Sequence, residues 1–423
     1  MAPNILGNTL LVAADAQIEA ETKSVIAQRS NAASSKSSSS SSTATNSKHD
    51  TYNEINNNHK PKNNSSDYHM QIVWINVALM LYLHVSAVYG LYLVFTKAKL
   101  ATNLFAFFLM IFCGLGITAG AHRLWSHKAY KAEWPLRLLL MIAQTAAHQD
   151  SIYVWSRDHR VHHKYTDTDA DPYNAKRGFF FSHVGWLMVK KHPDVVAKGK
   201  CIDMSDMEAD PIVMFQKKFF IPLMIIFCFF LPTYIPVYFW SESVSTAFYV
   251  CAIFRYAFGL NATWCVNSVA HIWGMKPYEK TISPCNNVYV ATFGLGEGWH
   301  NYHHVFPWDY KTSELGKYSS NWTTAFIDFF AKIGWAHDLK TVSDEMIRKR
   351  VLRTGDGSHE KYGNDVDLTR NMHKFIEEFQ LKEEDGSIWG WDDKDINLQD
   401  KSNAKIYYNN AQEPAIKDNN SAT

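Results

Sequence analysis

The sequence predicts an all-α integral membrane protein, in which four transmembrane helices support a cytosolic helical cap that holds a metal centre. Two observations predict this fold class. Long stretches of the 423-residue chain contain no Asp, Glu, Lys or Arg, and histidines recur at helical spacing at or beyond the ends of these stretches. The mean hydropathy of −0.24 hides this division, because it averages polar ends with very apolar interior segments.

Four segments are long and apolar enough to cross a hydrocarbon core of about 30 Å. The predicted spans are residues 71–95, 103–121, 219–240 and 244–270. The fourth contains Arg255, which is costly near the bilayer centre unless it faces protein or water, so a partly embedded helix is the alternative there. An even number of spans puts both tails and the long loop after the second span on one face. Lys and Arg residues near the span ends, such as Arg123, Lys128 and Lys217, lie mostly on that face, which is therefore predicted to be cytosolic.

The two ends of the chain are predicted to contribute little to this fold. Residues 1–68 are rich in Ser, Asn, Ala and Lys and cannot bury enough apolar surface to fold alone, which predicts a disordered cytosolic tail. Residues 356–423 are predicted to form a charged C-terminal tail, which leaves 69–355 as the functional domain. A net charge of +1 gives no reason to expect a nucleic-acid partner. Six cysteines without a Cys-x-x-Cys pair favour neither a disulfide framework nor a thiolate metal site.

Eight histidines form three tight clusters within the predicted cap. Two clusters have the spacing His-x-x-His-His, which puts three imidazoles on one face of a helix, and a looser pair lies upstream. The eight residues are His122, His127, His159, His162, His163, His300, His303 and His304. A single cluster of this kind is often structural, but three together indicate metal binding. Neutral imidazole suits iron, copper, zinc and nickel, and eight ligands exceed the needs of one ion, so two metal ions are predicted.

The segments around these histidines form a specific pattern. They are 120–127 (Gly-Ala-His-Arg-Leu-Trp-Ser-His), 158–163 (Asp-His-Arg-Val-His-His), 178–186 (Gly-Phe-Phe-Phe-Ser-His-Val-Gly-Trp) and 298–304 (Gly-Trp-His-Asn-Tyr-His-His). In this order and spacing, over residues 70–355, they closely resemble the membrane acyl-CoA desaturases of the stearoyl-CoA type. The later stretch 389–393 (Trp-Gly-Trp-Asp-Asp) is similar to the insect branch of that family.

The resemblance implies a non-haem di-iron centre bound by nine histidines, with an asparagine contributing through water. The ninth histidine is then His271, which on the sequence alone is interpreted as a core histidine, and the asparagine is Asn267. Iron also fits the chemistry, because removing hydrogen from an unactivated methylene needs a strong oxidant that iron with O2 can supply and redox-inert zinc cannot. Three nearby aspartates are expected either to orient ligand imidazoles or to form a solvated acidic loop: Asp167, Asp169 and Asp171.

The resemblance also implies where a fatty acyl-CoA substrate binds. The positions matching those around CoA are Asn76, Asp150, Arg157, Asp158, Lys190, Lys191 and Trp264, and those matching the bend of the acyl chain are Gln149, Trp155 and Thr263. Cations suit the CoA phosphates, although both lysines are also ordinary positive flanks of a membrane protein. Two positions depart from the family. Asp150 replaces a usual asparagine and adds a negative charge near phosphate, and Lys190 replaces an arginine and loses its two-pronged contact.

The second span offers residues for the blind end of an acyl tunnel. Met110 and Gly114 lie about three and two helical turns before His122, on nearly the same face. We expect them to line the end of the tunnel and limit chain length. Plain packing between helices is the alternative explanation for such a stripe.

The function expected from the resemblance is an oxidoreductase of the stearoyl-CoA 9-desaturase type. It would insert a cis double bond, at Δ9 in 16- and 18-carbon chains, into a saturated acyl-CoA with O2 and two electrons. Cytochrome b5, reduced by NADH-cytochrome b5 reductase, is the expected donor, since the chain contains no His-Pro-Gly-Gly haem signature. The expected location is the lipid bilayer of the endoplasmic reticulum, with several spans and both termini cytosolic.

Two alternatives stay open. A di-iron membrane fatty-acyl hydroxylase would use the same histidines and release a hydroxylated product. A metal transporter, the non-enzyme alternative, would place its ionisable residues within the bilayer along a path, whereas the clustered histidines here lie at or beyond the span ends.

Overall fold

The computed structural model describes residues 69–314, 318–365 and 387–407. The described residues from 72 onward belong to one compact unit that is mostly helical, as the sequence predicts, with four strands of two or three residues. The predicted disordered tail, residues 1–68, lies outside the described residues.

Within the part of the chain that the structure describes, three helices are long and apolar enough to cross a membrane. They are Trp74–Thr96, Leu100–Ser126 and Phe220–Trp240. Large apolar side chains on all three stay exposed in the protein alone, for example Leu81, Phe108 and Phe230, which is the pattern of a surface that faces lipid. These three helices overlap the first three predicted spans.

The fourth predicted span is a continuous helical segment, residues 244–267. It consists of Val244–Ala247, Phe248–Phe254 and Arg255–Asn267. It is not one of the three helices named above, because its polar residues lower its hydropathy. Arg255 is 3% exposed and donates hydrogen bonds to the carbonyls of Cys251 (2.8 Å), Ala146 and Cys228 (both 3.1 Å). The guanidinium therefore faces protein, which is the condition under which a membrane span can contain a charged side chain.

The second span changes its geometry towards the cap. Its last part, Gly116–Ser126, is π-helical, with wider turns than the α-helix before it. Residues that share a face of a regular helix are therefore displaced from one another across this boundary. Whether Gly114 and His122 lie on the same face of the helix therefore cannot be deduced from their spacing in the sequence alone.

The cap combines the loop after the second span with the chain after residue 268. Its helices are Trp134–Ala147, Ile152–Tyr165, Phe179–His183, Pro193–Gly199, Ser205–Glu208, Pro211–Lys218, Val269–Ile272, Val288–Phe293, His300–Val305, Trp322–Lys332, Asp344–Thr354 and Leu398–Asn403, with single 3-10 turns at Ala175–Arg177, Gly185–Met188, Tyr318–Ser320 and Gly363–Asp365. Two antiparallel strand pairs join distant parts of the chain: Lys131–Ala132 with Ala336–His337, and Leu339–Thr341 with Lys405–Tyr407. The second pair attaches part of the predicted C-terminal tail to the cap.

The described residues form four hydrophobic clusters, of which the two largest hold this arrangement together. One lies among the membrane helices and includes Leu83, Ile117 and Leu260, and the other lies within the cap and includes Leu136 and Ile327. The polar centre described below lies where the second span enters the cap.

Candidate metal centre

Nine histidines converge in two neighbouring groups. The five-histidine group is His122, His127, His159, His163 and His303, and the four-histidine group is His162, His271, His300 and His304. Within each group the ligand nitrogens all lie within 4.8 Å of one another. All are buried except half-buried His304. The structure thus brings together the eight histidines of the sequence clusters and His271, the ninth that the resemblance implies.

Each His-x-x-His-His motif divides its side chains between the two groups. On the helix Ile152–Tyr165, His159 and His163 enter the five-histidine group, whereas His162 enters the four-histidine group. The helix His300–Val305 divides its own histidines in the same manner, with one in the first group and two in the second. The spacing therefore serves two adjacent sites instead of delivering three ligands to one ion.

The nitrogens that face one another are Nε2 atoms. His122 Nε2 lies 2.9 Å from His303 Nε2, and His127 Nε2 lies 2.9 Å from His159 Nε2. In the four-histidine group, His300 Nε2 lies 2.9 Å from His271 Nε2 and 3.1 Å from His304 Nε2. Two nitrogens bound at about 90° to one metal ion, each about 2.1 Å from it, are about 3.0 Å apart. The spacing therefore fits ligands that share an ion.

Some of the outer Nδ1 atoms have partners that fix the tautomer. His127 Nδ1 faces the carbonyl of Trp389, and His162 Nδ1 lies 2.8 Å from Asp171 Oδ1. A carbonyl or a carboxylate only accepts, so Nδ1 carries the proton and Nε2 turns a lone pair towards the group's interior. Converging lone pairs repel one another unless a cation lies between them. The donor set therefore fits a metal ion that prefers nitrogen ligands.

Burial favours the neutral form of three imidazoles in the five-histidine group. Desolvation of the charged form, together with the neighbouring imidazoles, holds the pKa of His127, His163 and His303 well below the ordinary histidine value. Neutral imidazole is the form that binds metal, so these side chains are in their ligating form at neutral pH.

A buried ion pair supports the five-histidine group. Glu297 Oε2 lies 2.9 Å from His122 Nδ1, and its other oxygen accepts from the fully buried Arg123 at 2.8 and 3.0 Å. Burial alone would raise the pKa of Glu297, but Arg123 and His122 outweigh it and hold that pKa below its ordinary value. The sequence counts Arg123 only as a charge that flanks the membrane and gives no role to Glu297. A carboxylate between two glycines, three residues before the first histidine of a motif, was the available signal.

The acidic string after the second histidine cluster divides between the two expected roles. Asp171 is buried, accepts from His162, and also accepts from the backbone N–H groups of Asp167 (2.9 Å) and Tyr173 (3.0 Å). Asp169 is exposed. Asp171 thus orients a ligand imidazole, whereas Asp169 belongs to a solvated loop.

A cavity leads from the histidine groups between the second span and the segment 244–267. Five residues singled out from the sequence contribute to its wall: Met110, Gly114, Trp155, Thr263 and Asn267. The rest of the wall is largely apolar, with Ile111, Ile117 and Phe258 among its residues, and His122, His159 and His300 line its polar end. Gln149 does not line this cavity but donates from Nε2 to Thr263 Oγ1 at 2.9 Å. The lining suits an apolar chain that lies beside the histidines.

Leu295 lies against the second span near the apolar end of the cavity. A Cβ atom added at Gly114 would lie 2.7 Å from Leu295 Cδ1. Leu295 has a φ of 57°, a left-handed conformation that is unfavourable for leucine, and its carbonyl accepts from Thr323 N at 3.1 Å and Thr323 Oγ1 at 2.8 Å. The sequence analysis missed this residue, and its position between two glycines was the only local signal.

Four of the residues proposed for CoA lie together in the cap, where the half-buried Arg157 and the exposed Lys190 and Lys191 surround the buried Asp158. Arg157 donates to Asp158 at 3.0 Å, and Lys191 also contacts Asp158. Lys190 and Lys191 border a small polar pocket together with Arg177. These side chains concentrate positive charge beside an opening in the cap.

The other three residues proposed for CoA are buried in protein. Asn76 donates to the Leu187 carbonyl at 2.7 Å, and Trp264 is fully enclosed. Asp150 is 8% exposed and accepts from the Ser151 N–H at 2.8 Å. Burial raises the pKa of Asp150, which weakens the repulsion of phosphate expected from its charge.

Known proteins match this chain over most of its length. The family described as fatty acid desaturase matches residues 98–322. An acyl-CoA Delta-9 desaturase of Acheta domesticus is 58% identical over 339 residues, which cover 80% of this chain and 87% of that protein. An acyl-CoA Delta12-desaturase of the same species is 58% identical over 314 residues, 74% of this chain and 88% of that protein. An acyl-CoA Delta(11) desaturase of Trichoplusia ni is 52% identical over 348 residues, 82% of this chain and 91% of that protein.

Proposed function

This chain belongs to the fatty acid desaturase family, and we propose that it is an acyl-CoA desaturase that inserts a cis double bond into a saturated acyl-CoA. The observation that carries this proposal is the apolar cavity that ends on two groups of histidines. In the reaction, the acyl chain loses two hydrogen atoms from adjacent carbons. One O2 takes up these hydrogens with two electrons and two protons and leaves as two water molecules.

The two histidine groups are proposed to hold one iron ion each. Bound there, iron would supply with O2 the oxidising power that an unactivated methylene requires. The surrounding residues position the ligands, with Glu297 and Asp171 holding rings from outside. Asn267 lines the cavity beside His300 and is proposed to contribute to the four-histidine group through water.

The substrate is proposed to bind with its head at the cap surface and its chain in the cavity. Arg157, Lys190 and Lys191 offer cations to the CoA phosphates. The chain would pass the Gln149–Thr263 hydrogen bond and end near Gly114. This path lays the middle of the chain beside the histidines and keeps water away from it.

The proposed bond position is Δ9. The relatives act at different positions by their names, and the Acheta Delta-9 and Delta12 proteins are equally identical to this chain. The Delta-9 relative aligns over the longer segment, 339 against 314 residues. Resemblance of the motif segments to the stearoyl-CoA type also favours Δ9.

The proposed setting is the endoplasmic reticulum membrane, with four spans and both termini cytosolic. The segment 244–267 is the proposed fourth span, and the enclosure of Arg255 by backbone carbonyls supports this. Four spans put every histidine of the two groups on one face, where cytochrome b5, reduced by its NADH-dependent reductase, is the proposed electron donor.

Expression in yeast that lacks its own desaturase tests the proposal. Total fatty acids are analysed by mass spectrometry, with the double bond located by chemical derivatisation. The chain should restore growth and produce mono-unsaturated fatty acids, and His162→Ala should abolish both. His337→Ala is the matched control, because His337 is a half-buried cap histidine outside both groups.

Two results would overturn the proposal. Hydroxylated fatty acids in place of unsaturated ones would make the protein a hydroxylase. A chain that is present in the membrane and loaded with iron, yet forms no unsaturated product from any saturated acyl chain supplied, would exclude the desaturase.

A further inference from the structure

A segment near the C-terminus lies across the five-histidine group. We call residues 387–396 the C-terminal strap. The carbonyl of Trp389 accepts a hydrogen bond from His127 Nδ1, and the N–H of Trp391 donates to the His127 carbonyl at 3.1 Å. The strap therefore holds both the ring and the backbone of one ligand histidine, although Trp389 is 262 residues further along the chain.

The approach of the strap to His127 is close enough to require glycine. A Cβ atom added at Gly390 would lie 2.5 Å from the His127 carbonyl oxygen and 2.8 Å from His127 Cα. Both are backbone atoms, which cannot move aside as a flexible side chain can. A larger residue at position 390 would therefore push the strap away from His127.

The strap is anchored to the helix that carries three of the ligands. Trp389 is 5% exposed, and the Arg160 guanidinium lies 4.0 Å from the centre of its ring. Asp393 is 2% exposed and accepts from the Trp389 N–H at 2.8 Å and from Lys164 Nζ at 3.0 Å. Arg160 and Lys164 both belong to Ile152–Tyr165. The position of the Trp389 carbonyl is thus fixed by buried contacts to the metal centre's own scaffold.

The position of the strap gives it a particular effect on His127. A carbonyl only accepts, so it keeps the proton on Nδ1 and leaves the Nε2 lone pair facing His159 Nε2 at 2.9 Å. His122 and His162 have carboxylates in the corresponding place, from Glu297 and Asp171. Outer partners of this kind orient a ligand and typically change metal affinity by about 10- to 100-fold.

We infer that the C-terminal strap is a positioning element of the five-histidine group, which fixes the tautomer and ring orientation of His127 through the Trp389 carbonyl and thereby sets how firmly this group retains its metal ion. The inference rests on the proposed function, because it takes the five-histidine group to be an iron site. Residues 387–396 fall within the C-terminal tail of the sequence analysis. They belong to the centre through these contacts.

Iron retention in the full-length chain tests the inference. Wild type, Gly390→Val and Asp393→Ala are purified with 57Fe, exposed to a chelator for increasing times, and analysed for iron per chain and by Mössbauer spectroscopy. Gly390→Val displaces the strap directly, and Asp393→Ala removes its anchor at Trp389 without adding bulk. Lys394→Ala is the matched control, because Lys394 is an exposed residue of the same strap.

Both strap variants should lose one of the two irons about 10- to 100-fold faster than wild type, with the other iron and the helical circular dichroism retained. The spectrum of the labile iron should change, whereas Lys394→Ala should match wild type. Wild-type retention and spectra in both variants would overturn the inference. Loss of both irons together with helicity would also overturn it, since the strap would then only support the fold. A wild-type chain without iron would instead refute the proposed function, and the inference with it.

Discussion

The two ends of the cavity are built by different forces. At the polar end, ligand rings are held from behind by Glu297, Asp171 and the Trp389 carbonyl. At the apolar end, Gly114 and Leu295 meet through van der Waals contact alone. Hydrogen bonds fix orientation, whereas apolar contacts fix only shape. Substitutions at the polar end should therefore stop the reaction, whereas those at the apolar end should change which acyl chain reacts.

The largest effect is expected from a ligand of the five-histidine group. His303 Nε2 lies 2.9 Å from His122 Nε2 and 3.0 Å from His163 Nε2, so this side chain contacts two other histidines of the group. His303→Ala should lower desaturase activity by at least about 100-fold, more than loss of an outer partner does. The rate is measured in membranes matched for the amount of protein, with His337→Ala as control. Activity within a few-fold of wild type would contradict the assignment of His303 as a metal ligand.

A smaller effect is expected from the support behind the ligands. Glu297→Gln should lower activity by about 10- to 100-fold, because His122 loses a charged partner for its Nδ1–H. It should also lower the unfolding temperature in detergent, since Arg123 stays buried without its counter-charge, a change that typically costs about 3–5 kcal/mol.

The control for Glu297→Gln is Glu345→Gln, which makes the same chemical change at an exposed helix position. It should leave both activity and unfolding temperature unchanged. If Glu297→Gln behaved in the same manner, the buried ion pair would have no part in the centre.

At the apolar end the product should change. Gly114→Leu fills the cavity and presses on Leu295, so the ratio of 16- to 18-carbon products should rise by about 10-fold, a typical value for small changes in an apolar pocket. Product ratios are measured by mass spectrometry with an equal mixture of both acyl-CoAs. Phe108→Leu is the control, because Phe108 is 63% exposed and faces outward on the same helix. An unchanged ratio in Gly114→Leu would mean that the chain ends elsewhere.

The smallest effect, and of opposite sign, is expected from Leu295→Ala. Removing this side chain enlarges the same end of the cavity, so the product ratio should shift towards longer chains, by less than about 10-fold. The same substrate mixture measures it. Shifts in the same direction for Gly114→Leu and Leu295→Ala would show that packing, and not cavity length, controls the product.

The ligands at the polar end could be read from the sequence, but their supports could not. Six of the eight clustered histidines stand at helical spacing, and the four predicted spans place all three clusters on one face. His271 has no such neighbour and was identified only through the family resemblance. Glu297 and Trp389 meet their partners across 175 and 262 residues by tertiary packing, and Trp389 acts through its backbone, for which the sequence carries no signal.

The apolar end shows the same limit in another form. Met110 and Gly114 were predicted from their place on one helix, and both line the cavity. Leu295 reaches that wall through a left-handed backbone conformation in a loop, which no periodicity describes. The three helices that could cross a membrane were predicted directly from the length of their apolar segments. The burial of Arg255 could not be predicted in this manner, because it depends on carbonyls from other helices.

Iron K-edge X-ray absorption of the purified full-length chain, with metal quantification on the same sample, tests the central claim most directly. We expect two irons per chain, each with about four to six nitrogen or oxygen neighbours near 2.1 Å and no sulfur. That sample should also convert saturated acyl-CoA to its mono-unsaturated product when O2 and electrons are supplied. Sulfur bound to iron, or full desaturase activity in a chain that holds a single iron or only zinc, would contradict the assignment of one iron to each histidine group.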